Sequence, residues 1–103
     1  MKVGEQLFVS CLKRKDHKIL SVVQKQWLDD DEARQYRCIM EYYREHGEMM
    51  GLRTFVDKFG LDSSGADSRP AYYLNALKER YIFATVSEKV PKILKGIKSC
   101  LLY

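Results

Sequence analysis

Apolar residues recur at helical spacings along most of this chain, and no segment alternates apolar and polar positions for long enough to suggest a strand. Leu7, Phe8, Cys11 and Leu12 share one helical face, so residues 5–12 read as a first helix. Lys13, Arg14 and Lys15 then offset the negative end of its dipole. Asp16 is placed to cap a short second helix that buries Ile19, Leu20, Val22 and Val23, and Trp27 and Leu28 anchor the approach to a third. That third helix, residues 30–47, is the best delimited. Acids crowd its head, Arg44, His46 and Gly47 close it, and Ala33, Tyr36, Met40 and Tyr43, with Ile39 beside them, form its expected inner face. At roughly 20–25 Å it should be the scaffold of the globular half.

Beyond a short link at Met49 and Met50, the spacing of Leu52, Phe55, Val56 and Phe59 predicts a fourth helix, stopped by Gly60. Residues 62–69 are polar, rich in turn formers and without periodicity, which marks a loop. Pro70 suits the first turn of the next helix, which Tyr73, Leu74, Leu77 and Tyr81 continue. Thr85 or Ser87 could open a last helix with Pro91 in its first turn and an apolar face of Val90, Ile93, Leu94, Ile97 and Leu101. The expectation is an all-α domain: a compact bundle of about four helices over residues 1–61, a polar loop over 62–69, and a C-terminal helical hairpin over 70–103. Tyr81, Ile82 and Phe83 spread bulky apolar groups over about 200° of a helix, more than one inner face requires.

With 103 residues, 46% hydrophobic and 31% charged, the chain suits a single folded domain with a modest core. The net charge of +4 is concentrated late. Lys78, Arg80, Lys89, Lys92, Lys95 and Lys98 face only Glu79 and Glu88 in the last quarter. The opening residues lack the apolar stretch of a signal peptide, and no run reaches the roughly 20 apolar residues that cross a bilayer, so a soluble cytoplasmic protein without a membrane partner is expected.

Chemistry is sparse. Cys11, Cys38 and Cys100 are widely spaced, with no C-x-x-C pair and no histidine at metal-ligand distance, which argues for buried reduced thiols rather than a disulfide framework or zinc site. His17 and His46 offer little for a nucleophile-and-base system. The run Asp29 to Glu32 does not converge as a calcium loop would and is better explained by helix capping. No glycine-rich phosphate loop is present, so no catalytic, cofactor-binding or metal-binding residues are expected. Tyr42–Tyr43 and Tyr72–Tyr73 could stack on bases, but one member of each falls on an inner helical face, which favours packing.

The order of motifs resembles the N-terminal domain of DnaB-like replicative DNA helicases over nearly the whole chain. The resemblance lies in Glu5-Gln6 followed by an apolar helix, in the long helix ending at Gly47, in Met49-Met50-Gly51-Leu52-Arg53-Thr54-Phe55, and in the Tyr-Leu-x-x-Leu of Tyr73, Leu74 and Leu77. Met49 replaces a common proline, Gly51 a capping aspartate and Ser10-Cys11 small residues, which suggests a divergent member of phage or plasmid type. The resemblance implies a non-catalytic domain of a longer ATP-dependent helicase whose motor, with its ATP and Mg, lies further along. It implies self-association into a dimer or hexamer, docking of primase or a helicase loader, and access to DNA through the parent protein. The implied pairing surface is Tyr73, Leu74, Leu77, Tyr81, Ile82, Phe83, Val90, Ile93, Leu94 and Ile97. The alternative is a free-standing helical nucleic-acid-binding module, using Lys13, Arg14, Lys15 and Lys18 together with Lys89, Lys92, Lys95 and Lys98.

Overall fold

The computed structural model describes the backbone of residues 1–62, 64 and 66–101, and the side chains of these residues as far as 85. The apolar run Leu7-Phe8-Val9 and the following Ser10, Cys11 and Leu12 are all buried, so α1 (Val3–Arg14) is enclosed on every side. It packs against α2 (His17–Ser21), α3 (Asp30–His46), α4 (Leu52–Phe59) and α5 (Pro70–Leu101), with a 3-10 turn at Lys25–Trp27. Packing is therefore centred on α1, and α3 is one of the walls around it. Phe8 sits at the middle, its ring centroid 5.9 Å from Tyr36 and 6.4 Å from Phe55. Burying a side chain of this size contributes roughly 1.5–3 kcal/mol.

The helix ends follow their local chemistry. Asp16 accepts from the Ile19 N–H at 3.1 Å and caps α2, while Asp29 and Glu32 exchange reciprocal bonds at the head of α3. Gly47 and Gly60 end α3 and α4 at φ 71° and 65°, where a side chain would be strained. Val22, expected inside, is exposed because α2 stops at Ser21 and one turn cannot bring both Val22 and Val23 to the same face.

The all-α expectation holds, and no strand occurs among the described residues. The C-terminal hairpin does not form. One helix, α5, runs unbroken over the segment assigned to two, because Ala84, Thr85, Val86 and Ser87 include no glycine, asparagine or proline to turn the chain. Pro91 then lies inside the helix, where its missing N–H leaves the Ser87 carbonyl without its usual donor. At 1.5 Å per residue α5 is about 48 Å long. The whole protein measures 59 × 27 × 23 Å, so this helix sets its long dimension. The residue 62–69 loop is tied to α1, since the Ser10 hydroxyl donates to the Ser68 carbonyl at 2.7 Å and Ala66 is buried.

Candidate functional site

Four features of the surface and its supports bear on function: a buried ionic lock, the outer part of α5, a groove along α3, and the basic cluster near the end of α1.

The lock is built on Glu32, which is completely buried in the first turn of α3. Its Oε2 accepts from the Gly4 N–H at 2.8 Å and from Arg80 Nη1 at 3.0 Å. Its Oε1 accepts from the Asp29 N–H at 3.0 Å and from Arg80 Nη2, which also donates to the Trp27 carbonyl at 2.9 Å. The Arg80 fork matches the carboxylate bidentately, and four donors fill the acceptor positions of Glu32. The hydrogen bond to Glu32 raises the Arg80 pKa despite partial burial. With its acceptors filled and no solvent access, Glu32 is placed to hold structure together. Around it, Lys2 bridges Asp29 at 2.8 Å and Asp31 at 3.2 Å, and the hydrogen bond to Asp29 holds its ammonium above the ordinary lysine value.

The residues expected to form a pairing surface separate into groups. Tyr73, Leu74 and Leu77 belong to the core, where they pack with α1, and are not available to another chain. Tyr81 is half-buried. Ile82 and Phe83 are 58% and 75% exposed, and Tyr72, eleven positions before Phe83 and so about three turns away on the same side, is also exposed. The side chains of Val90, Ile93, Leu94 and Ile97 lie outside the described residues, as do those of Lys89, Lys92, Lys95, Lys98 and Cys100.

α3 differs most from expectation. Its fully buried positions are Glu32, Gln35 and Ile39, spaced i, i+3 and i+7. The Gln35 amide nitrogen donates to Glu5 Oε2 at 2.8 Å while its Oε1 is buried without a partner, so the inner face carries a fully paired Glu32 and a half-paired Gln35. The face formed by Ala33, Tyr36, Met40 and Tyr43 is only half-buried and floors a groove of about 810 Å³. His17 and Lys25 supply the opposite wall, and Arg37, Glu41 and Arg44 stand on the rim. The Tyr36 hydroxyl donates to the Leu20 carbonyl at 2.8 Å, and burial raises its pKa. The His17 ring stacks on Tyr43 with centroids 3.9 Å apart, leaving Nε2 buried without a hydrogen-bond partner.

The basic cluster near the end of α1 is partly engaged: Lys13 reaches the Ala66 carbonyl at 3.4 Å and Asp67 at 3.7 Å, while Arg14, Lys15 and Lys18 are exposed. Cys11 is buried, as expected, but Cys38 is half-buried with Lys58 Nζ 3.4 Å from its sulfur. No group of acidic, histidine and cysteine side chains that could hold a metal ion occurs among the described residues. No described helix is long and apolar enough to cross a membrane.

Compared with known proteins, the chain matches no family model, no curated sequence and no solved structure. In the sequence Gly4 carries no expectation, Arg80 figures only among the late basic charges, and Glu32 only in an acidic run that caps and solubilises the head of α3. Arg80 lies three residues after Leu77 and seven after Tyr73, a charge on an apolar stripe, and that was the available signal.

Proposed function

We propose that this chain is a non-catalytic self-association and partner-docking domain. From the order of its motifs, we further propose that it serves as the N-terminal domain of a cytoplasmic hexameric replicative DNA helicase that receives a primase or loader. The observation that carries the self-association reading is the pair Ile82 and Phe83, adjacent and exposed on α5 just beyond the turns that pack into the core. Burying each against another chain would contribute roughly 1.5–3 kcal/mol, a reason for α5 to associate. ATP and Mg would belong to the motor of the parent protein.

The test is light scattering at micromolar concentration on the wild type and an Ile82→Glu/Phe83→Glu variant. A mass above the monomer that the variant reduces supports the reading, and a strict monomer in both cases sinks it. The helicase assignment has its own test in the source gene: a Gly-Lys-Ser/Thr loop encoded downstream of Tyr103 supports it, and an immediate stop codon removes it.

A second reading, nucleic-acid binding, draws on the exposed Arg14, Lys15 and Lys18, which form no ion pair among the described residues. Such binding would weaken steeply with salt. Absence of salt-sensitive affinity for single- and double-stranded DNA would dispose of it.

A further inference from the structure

We propose that the groove along α3 docks an acidic amphipathic helix from another protein. This rests on the reading of the domain as a docking module, but it does not depend on self-association or on membership of any helicase.

The groove runs from Ala33 to Gly47, about 21 Å along the helix axis, enough for an occupant of about four turns. Its floor is a strip of Tyr36, Met40 and Tyr43, each half-buried by the fold and open on the remaining side. A helix presenting apolar residues at i, i+3 or i+4, and i+7 would cover that strip, and the unbranched Met40 side chain can adapt to its shape. The rim selects the sign of the occupant. Lys25, Arg37 and Arg44 border the groove against the single carboxylate of Glu41, and none of these cations has an ion-pair partner among the described residues. His17 Nε2, buried at the wall without a partner, is a further polar atom that an occupant could satisfy.

A second copy of the chain fits less well. Its acidic run is already engaged, with Asp29 and Asp31 on Lys2 and Glu32 on Arg80, and the chain as a whole carries +4. A nucleic acid fits less well too. Tyr43 has one face covered by His17 and Tyr36 has its hydroxyl committed, so the aromatics are poorly placed as stacking platforms.

The test is selection of helix-forming peptides, about four turns long with a fixed apolar stripe and randomised flanks, against the full chain. Selected peptides are then measured by fluorescence anisotropy and mapped by NMR of the Met40 methyl group. Enrichment of Asp and Glu in the flanks is expected, with a perturbed Met40 signal and about tenfold weaker binding to an Arg37→Glu/Arg44→Glu variant. Those exposed substitutions should leave the fold and the mass in light scattering unchanged, whereas Ile82→Glu/Phe83→Glu should leave peptide binding unchanged. No enrichment, neutral or basic flanks, equal affinity for the charge-reversed variant, or displacement of the peptides by a single-stranded oligonucleotide that itself perturbs Met40 would each overturn the proposal.

Discussion

The Gly4 N–H donates to Glu32 Oε2, and that same oxygen occupies the space a side chain at position 4 would need. The start of α1 can approach α3 so closely only because residue 4 has no Cβ. Glu32 cannot move aside, since Arg80 and the Asp29 N–H hold its carboxylate in place. Gly4→Ala should therefore destabilise the protein by about 1–3 kcal/mol, in spite of alanine's better helix propensity. Urea denaturation followed by circular dichroism measures this, and an unchanged midpoint would mean that the carboxylate relaxes freely.

Arg80 supplies the counter-charge for a carboxylate with no exposure to solvent. Arg80→Met should cost about 2–4 kcal/mol, because it leaves Glu32 buried without its cation and the Trp27 carbonyl without its donor. A Glu32→Gln/Arg80→Met double variant should lose less than the sum of the two single variants. Strict additivity in this double-mutant cycle would show that the residues act independently.

Asp29 gives the stability a pH dependence. Burial works to raise its carboxyl, but the Glu32 N–H and the Lys2 ammonium together outweigh burial and hold the pKa below the ordinary value. A depressed carboxyl contributes stability above the unfolded-state pKa of about 3.9 and loses it as pH falls through the folded value. Asp29→Asn keeps the capping oxygen and removes the charge. The melting-temperature gap between wild type and this variant should be small and steady at neutral pH, then close as pH drops below about 4.

Burial, aided by the nearby Asp16 charge, pushes the Cys11 thiol up to about 12. In a Cys38→Ala/Cys100→Ala background Cys11 should resist alkylation at pH 8 and react at the rate of unfolding. Rapid labelling of the native protein would show that α1 is less enclosed than its packing implies.

Lys15 ends α1 at φ 52°, a left-handed conformation that disfavours a lysine side chain. Lys15→Gly should stabilise the protein by about 0.5–1 kcal/mol, measured as a rise in the urea midpoint.

The helix ends were legible in the sequence because capping is local: Asp16, Asp29, Gly47 and Gly60 each act on backbone within a turn of themselves. The inner face of α3 was legible only in part. Periodicity nominates Ala33, Tyr36, Met40 and Tyr43 with Ile39 beside them; Ile39 is buried as expected, but the other inner positions are Glu32 and Gln35, whose partners Gly4, Arg80 and Glu5 come from distant parts of the chain. Hydrophobic pattern registers the apolar side of a helix but carries no information about a polar pair satisfied across two elements. The break expected near Thr85 failed for a related reason. Thr85 or Ser87 is expected to open a helix with Pro91 in its first turn, whereas α5 is already helical through both positions and no glycine or asparagine separates them from Tyr81.

The Arg80–Glu32 pairing also sets how small this fold can be cut. The head, residues 1–61, looks like a unit that could be excised and grafted elsewhere, yet the cation that neutralises its buried carboxylate sits 48 residues further along, in the third turn of α5. A truncation at the polar loop would leave an unpaired charge inside the head and remove Tyr73, Leu74 and Leu77 from beside α1. The shortest autonomous piece must therefore carry α5 at least through Arg80, so any recombination boundary in this protein belongs after that residue and not in the loop that first suggests one.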